Sequence, residues 1–292
     1  MKDSRITAII YAFAAALFYA INVPFAKAFL DNVAPTYMAA FLYLGSGAGV
    51  GLMYLFKIKG EEPAVRLTRS DLPYTVAMVL LDIAAPILLM VGIRASAAAS
   101  ASLLGNFEIV ATTAVAFLIF RERVTKRLWA AIALVTLASA ILSFQGAGSL
   151  DFSAGSLLVL AATVCWGIEN NCTRSISNKS TYQIVTVKGF GSGVGSLAIA
   201  LMVGEQFPGL SQILLILLVG FVAYGLSIFT YVRAQRVLGA AKTSAYYAVA
   251  PFIGVALSIL FLNEQVTGTF LVALAIMIVG TALIVRDTLL KE

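Results

Sequence analysis

Residues 210–231, LSQILLILLVGFVAYGLSIFTY, run for 22 positions without a charged side chain. A helix of that length rises about 33 Å at 1.5 Å per residue, enough to cross the roughly 30 Å hydrocarbon core of a bilayer. Reading outward in both directions, nine further stretches of the same kind fill the 292-residue chain. They are Arg5 to Phe29, Ala34 to Phe56, Leu72 to Ile93, Ser96 to Phe120, Lys126 to Phe144, Phe152 to Thr173, Tyr182 to Val203, Gly239 to Leu262 and Gly268 to Val285. The breaks between them are too short to build a second hydrophobic core, and the longest, Lys57 to Asp71, reads as a loop. A hydrophobic fraction of 61% and a mean hydropathy of +0.96 agree with lipid as the main solvent. A helix satisfies its own backbone in hydrocarbon, whereas a barrel would show short alternating segments that this sequence lacks. The fold class expected is an all-α membrane protein with ten transmembrane helices.

Charge sets the expected orientation. All of the 20 Lys and Arg except Lys27, Arg94 and Lys188 fall in segments that share one side if the N-terminus is inside. The positive-inside rule then places both termini in the cytoplasm of a cell whose inner or plasma membrane holds the chain. That topology accounts for the formal charge of +6. Nucleic-acid binding is not called for, since the basic residues are dispersed over short loops instead of clustered beside stacking aromatics. The basic start of the first stretch resembles a signal peptide, but it is too long and shows no small-residue cleavage site, so it reads as a retained span.

Histidine is absent, which removes His-dependent nucleophiles, His-ligated zinc and imidazole proton shuttles. Asp82 is the only Asp inside a span, so a two-aspartate intramembrane protease lacks its partner. No enzyme, cofactor or metal site is expected. Cys165 and Cys172 lie about 10 Å apart along one helix, beyond disulfide reach, and read as reduced packing residues.

The second half repeats the first. Phe18-Tyr19-Ala20-Ile21-Asn22 aligns with Cys165-Trp166-Gly167-Ile168-Glu169, Gly45-Ser46-Gly47 with Gly191-Ser192-Gly193, and Glu122-Arg123-Val124-Thr125 with Glu264-Gln265-Val266-Thr267. Each half holds an odd number of spans, so the copies enter the membrane in opposite directions. The expectation is a 5+5 inverted repeat, residues 1–145 and 146–292, of the kind that supports alternating access.

These residues resemble the EamA family of the drug/metabolite transporter superfamily over the whole chain. The most specific parts are Trp166-Gly167, the run from Ala234 to Lys242 leading into Tyr247-Ala248-Val249-Ala250-Pro251, and Phe261 to Thr267. The first half departs from the pattern at Ile109, which stands where Pro251 stands in the second, and at Tyr19, the mate of Trp166. The resemblance implies a small-molecule carrier: export or exchange of metabolites, amino acids or drugs.

Polar residues inside the spans narrow the site. Asp82, Glu108 and Glu169 lie at membrane depth, where a charge facing lipid costs about 2.5–3.5 kcal/mol. They must be protonated, paired, or turned toward a wet cavity. Glu108 is the leading candidate for proton coupling, with Glu169 a second acidic contact; the structural alternative is a hydrogen bond or an ion pair with Lys188, Arg94 or Arg174. Asn22 is the repeat mate of Glu169, and Tyr224 that of Asp82 when Arg94 is aligned with Arg236. Asn22, Asp82, Glu108, Glu169 and Tyr224 thus form one candidate lining, with Asn106, Trp166, Tyr246 and Tyr247 as further members. Lys27 and Arg174, also repeat mates, either snorkel to headgroups or contact a substrate carboxylate.

The glycine runs Gly45 to Gly51 and Gly191 to Gly195 lie inside spans and read as close-packing surfaces rather than phosphate loops. Pro24, Pro86 and Pro251 are expected to kink spans one, three and nine and free carbonyls. Glu122 and Glu264 read as structural corners, each three residues before a Thr that caps the next helix. The function expected is a secondary active transporter of an amphipathic, zwitterionic or cationic solute, acting as monomer or homodimer, with protons as the candidate coupling ion. A passive channel or facilitator is the alternative.

Overall fold

The computed structural model describes residues 2–57, 62–120, 125–143 and 153–289, with no account of the side chains at 2–4, 63, 116, 119–120, 240–241 and 287–289. Ten helical passes are present among the described residues. Span 1 is α1 (Lys2–Ala20) and α2 (Asn22–Phe29), span 2 is α3 (Pro35–Lys57), and span 3 is α4 (Leu72–Arg94). Span 4 is α5 (Ala98–Leu104) and α6 (Phe107–Phe120), span 5 is α7 (Lys126–Ser143), span 6 is α8 (Ala154–Ser175), and span 7 is α9 (Thr181–Val203). Span 8 runs from α10 (Leu210–Val219) through a π-helical turn (Gly220–Leu226) to α11 (Ser227–Leu238). Span 9 is α12 (Ala240–Tyr247) and α13 (Ala250–Leu262), and span 10 is α14 (Gly268–Leu289). Nine passes are long and apolar enough to cross a membrane among the described residues. The other, α8, is long enough at 22 residues but carries Glu169, Asn170 and Asn171.

Packing follows the repeat. In the centre α3 packs on its repeat mate α9, α7 packs on its mate α14, and spans 4 and 9 meet through α5 and α13. The α4–α8 pair is matched by α11–α1, its image when the halves are exchanged. Such a contact pattern maps onto itself under a pseudo-two-fold axis lying in the membrane plane. Glycines make the close crossings: a methyl on Gly189 would come within 2.4 Å of the Gly47 Cα where α9 crosses α3, and one on Gly220 within 2.1 Å of the Leu42 carbonyl oxygen where span 8 crosses α3. Only small residues allow the backbones to approach so closely. The proposed junction at 145/146 lies outside the described residues.

Caps appear at repeat-related places. Thr125 Oγ1 accepts from the Leu128 N–H at 3.1 Å and Thr267 Oγ1 from the Phe270 N–H at 3.1 Å, starting α7 and α14. Ser153 and Ser180 start α8 and α9 in the same way. Glu122 lies outside the described residues; Glu264 accepts from the Ala98 and Ala99 N–H groups at 2.7 and 2.8 Å and so caps α5.

The prolines do not account for every break. Pro86 does not interrupt α4, which continues from Leu72 to Arg94. Its ring still removes the donor that Asp82 C=O would use four residues earlier. Span 4, which has no proline in its interior, is broken between Leu104 and Phe107, at Gly105-Asn106. This break is the counterpart of the one at Ala248-Val249 in span 9, before Pro251. Span 1 breaks at Ile21, just before Pro24.

Polar clasps close the end of the bundle opposite the termini. Besides Glu264, Glu205 accepts from Thr36 Oγ1 at 2.9 Å and from the Tyr37 N–H at 3.3 Å, holding the start of α3. Lys27 Nζ donates to the carbonyls of Ile93, Arg94 and Ser96 at 3.0, 3.2 and 2.7 Å, where α4 ends. Each clasp places a charge against a helix end of complementary partial charge.

Candidate functional site

Near mid-depth, α8 presents Trp166, Glu169, Asn170 and Thr173 on one face, at helical spacings of three, four and seven residues. Glu169, 2% exposed, lies 3.0 Å from Lys188 Nζ on α9 and accepts a hydrogen bond from the Thr173 hydroxyl. Lys188 Nζ also lies 3.0 Å from Asp82 Oδ2 on α4. The other oxygen of Asp82 accepts from Tyr43 Oη at 2.9 Å and Trp166 Nε1 at 3.1 Å. One ammonium therefore bridges two carboxylates contributed by different halves. A buried pair of this kind is held better when its carboxylates accept further hydrogen bonds, which Tyr43 and Trp166 supply to Asp82 and Thr173 to Glu169.

Glu108 stands apart from that bridge. The break at Gly105-Asn106 ends α5 and starts α6, so Glu108 falls in the first turn of α6, where N–H groups favour a carboxylate. Asn170 Nδ2 donates to its Oε1 at 2.7 Å. Its carboxyl lines two small adjoining cavities of about 60 and 40 Å³. Glu169, Asn170, Thr173, Lys188, Tyr224 and Tyr231 share the first with it. Asn106 and Pro251 border the second, toward the closed end.

Aromatic rings wall the junction. Tyr19 meets Trp166 edge-on at 6.3 Å, Tyr224 at 5.8 Å and Tyr247 at 5.9 Å between centroids; Tyr43 meets Tyr224 at 4.9 Å and Tyr231 meets Tyr247 at 5.1 Å. Tyr19 and Trp166 are repeat mates, so the contact lies at the pseudo-axis. The π-helical turn carries Tyr224 into this group, and such turns widen a helix by one residue at functional positions.

Of the residues singled out in the sequence, the structure brings Asp82, Glu108, Glu169, Trp166, Tyr224 and Tyr247 together. Asn22 is fully buried beside the Tyr224 hydroxyl, and neither closes a hydrogen bond among the described residues. Asn106, 1% exposed, likewise leaves both amide atoms unpartnered at the edge of the second cavity. Three candidates lie elsewhere. Tyr246 turns away into a lateral groove against Phe13, because adjacent helical residues point about 100° apart. Lys27 is taken up by the carbonyls at the end of α4, and Arg174 is exposed and borders neither cavity.

Lys188, named from the sequence as an ion-pair partner for the buried acids, pairs with Asp82 and Glu169, whereas Tyr19, Tyr43, Asn170, Thr173 and Tyr231 were not among the sequence candidates. Two signals were available. Lys188 is a lone base about 10 Å into a span, and the polar stripe on α8 has helical spacing.

Comparison with known proteins agrees with this architecture. The sequence profile of the EamA-like transporter family matches residues 6–144 and 153–286. An uncharacterized transporter of Methanothermobacter thermautotrophicus is 26% identical over 276 positions, covering 86% of this chain and 78% of that protein. A solved crystal structure at 16% identity superposes with a TM-score of 0.71 over 98% of each chain, a likeness of fold alone. Two family matches, one on each five-helix half, span nearly all of the sequence, and the chain belongs to the EamA-like transporter family of the drug/metabolite transporter superfamily.

Proposed function

We propose that the chain is a secondary active transporter of small organic cations or zwitterions with an apolar body, working by alternating access in a plasma membrane with both termini in the cytoplasm. The observation that carries this reading is the mid-depth cavity in which Glu108, Glu169 and Lys188 face a cage of tyrosines and a tryptophan, with Asp82 buried behind Lys188. Three carboxyls against one ammonium favour a positively charged group, and the ring faces add cation–π attraction for an ammonium stripped of water.

The roles follow from the partners. Glu108 has one hydrogen-bond donor, Asn170, and no basic partner among the described residues, so it is the acid that a proton or a substrate ammonium can occupy in turn. Lys188 holds Asp82 and Glu169 together across the halves, and a zwitterion's carboxylate competes for it. Occupancy of Glu108 would thus be read by the same helices, α6 and α8, that change partners when the bundle rocks.

The test is counterflow and uptake in proteoliposomes, screening quaternary amines, amino acids and dipeptides with and without an imposed pH gradient. Saturable uptake driven by the gradient, lost in Glu108→Gln while exchange of preloaded substrate persists, is the expected result. Gradient-driven accumulation that survives Glu108→Gln removes this residue as the coupling site. Flux with no counter-transport would make the protein a facilitator.

A further inference from the structure

A hollow of about 490 Å³ opens sideways, away from the cavities, between α1, α12–α13 and α14. Phe13, Tyr246, Phe252 and Ile278 give it an almost wholly apolar wall. Two polar groups interrupt that wall on one helix. Thr281, 6% exposed, borders the hollow, and its buried hydroxyl finds no hydrogen-bond partner among the described residues. Arg286 borders the same hollow, exposed, and neither an ion pair nor a hydrogen bond to it occurs among the described residues.

The order along α14 is informative. Arg286 lies near the helix end on the side of the termini, Thr281 about 7.5 Å deeper and Ile278 about 12 Å deeper. A glycerophospholipid presents the same sequence of chemistries: phosphate at the headgroup level, ester carbonyls just below, then acyl chain. We propose that this groove is a binding site for one anionic glycerophospholipid in the leaflet on the side of the termini, its phosphate on Arg286, an ester carbonyl accepting from Thr281 Oγ1, and an acyl chain along Phe13, Phe252 and Ile278. A soluble phosphate does not fit the reading, because nothing polar continues past Thr281 into the groove.

The site adjoins the transport cavity through α12. Tyr246 walls the groove while Tyr247, its neighbour, walls the cavity, so a lipid seated here bears on the broken segment of span 9. The inference is independent of which solute is carried.

Native mass spectrometry of the purified full-length chain, titrated with phosphatidylglycerol or phosphatidylcholine of matched acyl chains, tests it. The expected result is one retained phosphatidylglycerol, preferred about fivefold, the ratio given by roughly 1 kcal/mol per basic residue at a headgroup. Arg286→Gln is expected to abolish the preference, and Thr281→Val to weaken both lipids alike. Ala282→Trp, at an exposed lining position, is expected to expel both while the protein keeps its thermal midpoint. Equal retention of the two lipids, an Arg286→Gln protein that keeps the preference, or displacement by millimolar inorganic phosphate would each overturn the proposal.

Discussion

Lys188 is held from both sides, 3.0 Å from Asp82 and 3.0 Å from Glu169, and is 4% exposed. Removing one member of a buried ion cluster leaves the others uncompensated, at a cost of about 3–5 kcal/mol. Lys188→Met is therefore expected to lower the thermal midpoint sharply in detergent, and the double variant with Asp82→Asn to lose less than the sum of the single changes. Additive losses would show that the two side chains do not act as a unit. Tyr246 and Tyr247 mark how far residue-level reading goes. Both are aromatic, adjacent and near mid-depth, and only the rotation of α12 against its neighbours decides which faces the cavity and which faces the lateral groove. The depth of Asp82, Glu108 and Glu169 was countable from the span ends, whereas their pairing needed neighbouring helices in place. The lone base Lys188 was legible as a partner for the acids, and reading polar residues at helical periodicity would have added Asn170 and Thr173 to Trp166 and Glu169.

At the scale of elements, the chain uses two devices: glycine faces that let helices touch, and charged side chains that tie off helix ends. The α3–α9 crossing leaves no room for a methyl group at Gly189. Gly189→Ala is expected to cost about 1–3 kcal/mol through overpacking, read as a lower midpoint and reduced yield of folded protein. An unchanged midpoint would mean that the crossing can spread. The clasp from Glu264 to the N–H groups of α5 holds the closed end. Glu264→Ala is expected to raise the rate at which a cysteine placed at Ser102, beside the second cavity, is alkylated by a membrane-impermeant reagent from the end opposite the termini. No change in labelling would assign the clasp to folding alone. The helix count and the Thr125 and Thr267 caps were readable because each depends on local sequence. The break of span 4 was not, since Gly105-Asn106 lacks the proline that marks spans 1 and 9.

Across the whole molecule, the repeat made the fold legible: three aligned motifs and an odd number of passes per half gave the inverted architecture before any coordinates. It did not give the chemistry of the centre, because the halves are related in backbone and unlike in side chains. Tyr19 opposes Trp166, and Asn22 takes the place that Glu169 holds in the second half. Exchanging the shapes of the two halves therefore does not return an equivalent protein. In the alternating-access cycle proposed above, Glu169 and Lys188 would move with one half and Asp82 and Glu108 with the other, so rocking would stretch the bridge in one orientation and restore it in the opposite one. On that proposal the two resting orientations are unequal in energy even without a gradient, and the unloaded protein idles facing one compartment by preference, a built-in polarity set by its own unmatched side chains.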